Sequence, residues 1–223
     1  MAAAILAFGV TALLGKWMIP FLQRLHFGQT IREEGPKWHR KKQGTPTMGG
    51  LMFIIGIFLA ILICVPLSYF SQGTGELQTG ETLLMKTKVF GGLMMAVGFG
   101  VIGFFDDYIK VVKKRNLGLT APQKLVLQFL VAGAYLASVY LSGGSSATTI
   151  PFVGRVDLGL GYWILAILLI VGIVNAVNFT DGIDGLNASV TFFAGIFFVL
   201  ISGVLKMSGL SIASAALAGG CMG

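Results

Sequence analysis

Gly161-Tyr-Trp-Ile-Leu-Ala-Ile-Leu-Leu-Ile-Val-Gly-Ile-Val-Asn-Ala-Val177 leads directly into Asn178-Phe-Thr-Asp-Gly-Ile-Asp-Gly-Leu186. The first part is apolar and matches the roughly 17 to 25 residues that a helix needs to cross a bilayer. The second places amides and carboxylates at three-residue spacing where that helix leaves the lipid. If the helix continues, Asn175, Asn178 and Asp181 are each rotated about 60° from the last and share one face. Gly182 and Gly185 then let the backbone turn and bring Asp184 beside them. Polar groups clustered at the end of a membrane helix are costly there and point to a functional site.

Comparable apolar runs span residues 2–22, 51–70, 89–105, 125–141 and 188–205, in a chain that is 55% hydrophobic and only 11% charged. No soluble domain of ordinary kind carries that balance on its surface. The expected fold is an all-α polytopic integral membrane protein with six full transmembrane helices. A seventh apolar run starts at Ser211 and stops at Gly223, too short to cross, and is read as a truncated helix. The first run lacks the basic leader and small-residue cleavage site of a secretory signal, so it is read as a genuine span. Residues 1–223 then form a single transmembrane domain, with ordinary loops at 71–88 and 142–160. Cys64 and Cys221 lie in apolar runs and are expected to be small buried hydrophobes.

The basic residues divide the loops into two sets. Arg24, Arg32, Lys37, Arg40, Lys41 and Lys42 fall between the first two spans; Lys110, Lys113, Lys114, Arg115 and Lys124 fall between the third and fourth. The alternate loops hold only Lys86, Lys88, Arg155 and Lys206. The positive-inside rule makes the two basic loops cytoplasmic, and the loop after the fifth span, with Asp181 and Asp184, falls on the same side. The alternative to a site role for these cations is that they only set orientation and attract anionic lipid.

Three polar segments therefore meet one membrane face. The third span ends Phe104-Phe105-Asp106-Asp107-Tyr108-Ile109-Lys110. One reading is a helix-end pair balanced by Lys110 and Lys114 at helical spacing. The other is that adjacent carboxylates bind Mg²⁺, which favours one or two carboxylates plus phosphate oxygens, or supply a base for a phosphate. With Asp181 and Asp184 they make four of the nine acidic residues in the chain. Before the second span stands Lys41-Lys42-Gln43-Gly44-Thr45-Pro46-Thr47-Met48-Gly49-Gly50. Thr47 can cap that helix, and the same helix start beside Lys42 suits an anion.

Two tempting signals are set aside. Gly98-Phe-Gly100-Val-Ile-Gly103 has the letters of a dinucleotide fingerprint but lies inside an apolar run with no strand before it. With Gly91 and Gly92 it is expected to let neighbouring helices approach closely. His26 and His39 lack a third ligand and are expected to be solvated or phosphate-facing, not metal-bound.

Ile31-Arg-Glu-Glu-Gly-Pro36 with Gly44-Thr-Pro-Thr-Met-Gly-Gly50, then Phe105-Asp-Asp-Tyr-Ile-Lys110, then Asn175-Ala-Val-Asn-Phe-Thr-Asp-Gly-Ile-Asp-Gly185 resemble, in order, the motifs of bacterial phospho-N-acetylmuramoyl-pentapeptide transferases. The Pro-Thr-Met-Gly-Gly form resembles that branch of the polyprenyl-phosphate hexose-1-phosphate transferases more than the N-acetylglucosamine branch. The resemblance implies transfer of phospho-MurNAc-pentapeptide from UDP-MurNAc-pentapeptide to undecaprenyl phosphate, giving lipid I and UMP in peptidoglycan synthesis. It implies Mg²⁺ as cofactor, a bacterial inner-membrane location with the site facing the cytoplasm, membrane lipid as surroundings, a homodimer as possible assembly and no nucleic-acid partner.

Position by position, Asp106 resembles the acid that deprotonates or orients the lipid phosphate, with Asp107 beside it, and Lys110 matches a lysine near the phosphates. Asn178, Asp181 and Asp184 correspond to the cluster lining the metal and nucleotide pocket. Lys42 and Thr47 resemble residues on the nucleoside side, and Lys124 is a weaker match. The catalytic set implied is thus Asp106, Asp107 and Asp184, with Asp181, Asp184 and Asp106 at the metal. Base in a single displacement and nucleophile in a double one both remain open for the acid. The family also carries a Met-Gly-Asp-x-Gly-Ser motif and a histidine-rich loop, both expected beyond Gly223, and usually a helix ahead of the first span here. On that ground the segment is expected to be an incomplete portion of a roughly ten-helix fold and not active alone.

Two rivals predict different things. A transferase moving N-acetylglucosamine-1-phosphate from UDP-GlcNAc to the same carrier differs in donor. An ion-coupled transporter predicts acids near the bilayer midplane, whereas all four here fall at the ends of spans.

Overall fold

The computed structural model describes residues 1–24, 48–71, 80–113, 118–181 and 185–223. In chain order it comprises α1 (Ala2–Arg24), α2 (Gly50–Ser71), α3 (Gly80–Val112), α4 (Ala121–Leu141), β1 (Ala147–Ile150), β2 (Gly154–Asp157), α5 (Leu160–Thr180), α6 (Leu186–Val204) and α7 (Ser208–Met222). The first six helices are each long and apolar enough to cross a membrane. The protein is an all-α polytopic membrane protein, with one short hairpin.

Three boundaries differ from the sequence expectations. Residues 80–88 are helical, not loop, because α3 runs on past its lipid-buried stretch through Leu83-Leu84-Met85-Lys86, where neither proline nor glycine interrupts it. Hydropathy marks the portion in lipid, and helix propensity extends beyond it. The segment 142–160 holds an antiparallel pair with Ala147 opposite Asp157 and Ile150 opposite Gly154. Thr148, Thr149, Ile150 and Val156 are β-branched, and Pro151 with Gly154 (φ 98°) makes the reversal. Ser146 Oγ donates to Asp157 Oδ1 at 2.5 Å, and the Gly159 N–H donates to the same oxygen at 2.9 Å. The hydroxyl first, then the amide, holds the Asp157 carboxyl below the usual carboxylate range. Finally, α7 begins at Ser208, a turn earlier than its apolar run.

The core lies where α7 meets α1, α2 and α6. Ala3, Ala7, Ala60, Ile61, Val65, Leu93, Ala215 and Ala216 are buried there. In lipid no hydrophobic force draws helices together, so close backbone packing through small residues takes its place. A side chain at Gly219 would run into the main chain of Ala4, and one at Gly195 would stand 3.1 Å from Ala218 Cβ. The glycines of α3 behave as expected at three positions. An added Cβ would come within 2.9 Å of Val131 at Gly98, 2.8 Å of Ile54 at Gly100 and 3.3 Å of Tyr135 at Gly91. Gly103 faces open space.

Helices α3, α4 and α5 pack as consecutive antiparallel neighbours. At one end of the first pair Ser142 Oγ donates to Thr87 Oγ1 at 2.9 Å; at the other Lys124 reaches Asp106. Along the second pair, the Tyr140 and Trp163 rings meet at 5.5 Å, and Asn175 bonds Gln128 at 2.7 Å. These contacts are twelve residues apart on each helix, which fixes an antiparallel register without a slip. The end of α3, the start of α4 and the end of α5 are thereby brought to one end of the bundle.

Candidate active site at the α3–α4–α5 end

Asp106 sits one and a half turns before the end of α3 and is 7% exposed. Its Oδ2 lies 2.7 Å from Lys110 Nζ, one turn on, and 3.4 Å from Lys124 Nζ, in the first turn of α4. Its Oδ1 accepts the Leu119 N–H at 2.9 Å. Gly118 lies against Asp106 so closely that any side chain there would strike its main-chain oxygen and Oδ1. The turn into α4 is thus moulded on this carboxylate. Gln123 Oε1 accepts the Thr120 N–H at 3.0 Å, and Pro122 sits in the first turn, starting the helix so that Lys124 points back to α3.

Lys110 also donates to Asp107 Oδ1 at 3.0 Å. Asp107 is about one-third exposed at its side chain, against one-tenth for Asp106. Two carboxylates and two ammonium groups therefore share one small volume at this end of the bundle, their charges balanced. Such a cluster has a consequence for anions. Each lysine ammonium has three N–H donors and keeps some of them free of the carboxylates, and charged donors of this kind are what a phosphate oxygen accepts from.

On α5 the amide and acid series separates. Asn175 does not face the cluster; its Nδ2 donates to Gln128 Oε1 at 2.7 Å and to Val171 O at 2.8 Å. Asn178 stands one turn further along α5, and Asp181 caps the helix as the first residue beyond it. Both are exposed, and neither has a polar partner among the described residues. Following the α4–α5 register four residues beyond Gln128, about 6 Å along the axis, puts Lys124 level with Phe179, between Asn178 and Asp181. Lys42, Thr47 and Asp184 lie outside the described residues, as do Lys114, His26 and His39.

The donor set can be tested against a hard divalent cation. Among the described residues no three His, Cys, Asp or Glu side chains gather as a metal site. Asp106 has both oxygens engaged by Lys110, Lys124 and Leu119. One oxygen of Asp107 and both of Asp181 have no polar partner among the described residues, and carboxylate oxygens are the hard ligands that Mg²⁺ takes together with phosphate oxygens. In donor chemistry, these partner-free carboxylate oxygens suit such an ion.

Two contributors escaped the sequence reading. The Leu119 N–H is a backbone group and leaves no trace in residue type. Gln128 does leave one, as the only amide in the apolar run of α4 and one turn from Lys124 on the same face.

The family model for glycosyl transferase family 4 matches residues 89–223. A phospho-N-acetylmuramoyl-pentapeptide-transferase signature matches residues 42–54, the segment that contains Lys42 and Thr47. Over 223 residues the chain is 46% identical to the phospho-N-acetylmuramoyl-pentapeptide-transferase of Heliobacterium modesticaldum, covering 99% of this chain and 64% of that protein. It is 45% identical to the enzyme of the same name from Halalkalibacterium halodurans, covering 98% and 63%, and 40% identical to that of Bacillus subtilis, covering 98% and 64%. The chain thus spans just under two thirds of the length of these relatives. With most of α3 and all of α4 to α7 inside the match, and the acid–lysine cluster among them, the chain belongs to glycosyl transferase family 4.

Proposed function

We propose that this chain carries the cytoplasmic-face site of a transferase that moves phospho-MurNAc-pentapeptide from UDP-MurNAc-pentapeptide to undecaprenyl phosphate in the bacterial inner membrane. A lipid phosphate oxygen attacks the sugar-side phosphorus of the donor. A new phosphoanhydride bond forms, the old one breaks, and UMP leaves with the bonding electrons, giving lipid I. The observation that carries this reading is the buried Asp106 holding Lys110 and Lys124 together at one end of the helix bundle. Its support from sequence is the signature at residues 42–54 and the named relatives.

The donor is soluble and highly charged, whereas the acceptor is a phosphate on a lipid, so the reaction belongs at an interface where cations meet both. Phosphoryl transfer is catalysed mainly by positioning and charge neutralisation. Lys110 and Lys124 bind the phosphates, and Asp106 orients the two ammonium groups. Asp107, Asp181 and Asp184 would hold Mg²⁺, which when bound would neutralise charge on the donor diphosphate. Asn178 offers its amide to the same groups, while Lys42 and Thr47 serve the nucleoside side.

Donor competition tests this. Full-length protein given undecaprenyl phosphate, UDP-MurNAc-pentapeptide and UDP-GlcNAc at equal concentration is expected to release UMP and to form the muramoyl-pentapeptide lipid. A lipid product carrying only N-acetylglucosamine, or no UMP with either donor, overturns the reading.

A further inference from the structure

We propose that Gln128 is a positioning residue that sets where α5 delivers Asn178 and Asp181 to the Asp106–Lys124 cluster. The proposal rests on the transfer reading above for its catalytic half. Gln128 is 2% exposed on α4, one turn from Lys124, so one face of a single helix carries both the lysine that meets α3 and the amide that meets α5. Its side-chain oxygen accepts from Asn175 at 2.7 Å.

Among the described residues little else fixes α5. Val171 is its only buried residue, and its packing on α6 is slight beside its packing on α4. The aromatic contact of Trp163 with Tyr140 secures the opposite end of the helix, twelve residues from Asn175. At the site end, among the described residues, the polar tie between α5 and another helix is Gln128 to Asn175. Asn175 spends its second contact on Val171 O of its own helix. Asn178 and Asp181 follow within two turns and have no partner among the described residues, so their placement is inherited from this tie. A hydrogen bond is directional, so losing this one removes a constraint on the rotation of the helix end while the Tyr140–Trp163 contact still holds α5 to α4. Displacement by a single ångström at a transfer site lowers rate steeply.

The test has two arms on the full-length protein. In an otherwise cysteine-free background, spin labels at the exposed positions Val126 and Val177, level with each other across α4 and α5, report the separation of the helix ends. Gln128→Leu is expected to broaden that distance distribution, and the reciprocal pair Gln128→Asn with Asn175→Gln, which conserves the bond, is expected to keep it narrow. In the transfer assay Gln128→Leu is expected to lower kcat by about tenfold with little change in donor KM, and the reciprocal pair to recover most of it. A distribution that stays narrow in Gln128→Leu overturns the tie. Broadening with kcat unchanged overturns the positioning role and leaves only a structural contact. Absence of transfer by the unaltered protein refutes the proposed function and with it the catalytic half, while the label distances still decide whether Gln128 holds α5.

Discussion

Asp106→Asn is expected to lower formation of the lipid-linked product by about 10²–10³-fold, the scale seen when one preorganised charged contact is removed from a reaction centre. The substitution keeps the shape and one acceptor oxygen for the Leu119 N–H, but removes the charge that draws Lys110 and Lys124 to one point. Lys110 keeps Asp107 at 3.0 Å, whereas Lys124 loses its carboxylate partner. The helix pair itself should persist, because Ser142 with Thr87, and Gly91 and Gly98 with Tyr135 and Val131, hold α3 to α4 along its length. The check is therefore paired: initial rate of UMP release alongside the thermal midpoint in detergent. A large fall in rate with a nearly unchanged midpoint is expected. Full activity in Asp106→Asn would remove the carboxylate from any part in organising the site.

Asp181→Asn is expected to cost at least about a hundredfold in kcat, in line with the several kcal/mol that a metal ion contributes to stabilising phosphoryl charge. Asp181 is exposed, caps α5 and has no polar partner among the described residues, so none of their contacts depends on its charge. Its proposed work is on a cation and on donor phosphate. A titration of rate against Mg²⁺ distinguishes that from a general defect: the half-saturating Mg²⁺ concentration should rise in Asp181→Asn and stay put in Asp106→Asn. An unchanged Mg²⁺ requirement in Asp181→Asn would take this residue away from the metal.

The six spans were legible because lipid imposes one requirement, a long apolar run, that residue type reports directly. The first turns of α3 were not, since Lys86 and Lys88 read as loop while helix propensity carried the backbone through them. The hairpin was hidden because its four-residue strands are too short for alternation to stand out. Within the site, Asp106 and Lys110 lie four apart on one helix, so their pairing follows from spacing alone. Lys124 ranked lower from sequence, eighteen residues from Asp106, yet it completes the cluster because Gly118 lets the chain turn tightly against that carboxylate. Asn175 shows the limit of periodicity. It shares a face with Asn178, as the three-residue spacing requires, but which neighbour that face meets depends on α4, and there Gln128 takes it out of the pocket.

In the proposed function a soluble nucleotide-linked donor meets a lipid phosphate at the membrane face where α3 ends, α4 begins and α5 ends. Transfer measured in sealed vesicles of the two orientations, with the impermeant donor supplied only outside, addresses it directly. Lipid-linked product should form in inside-out vesicles, which present the loop between α3 and α4 to the medium. In right-side-out vesicles it should appear only after the membrane is opened with detergent. Equal product from intact right-side-out vesicles would place the chemistry on the opposite face, away from Asp106, Lys110, Lys124 and Asp181, and contradict the account.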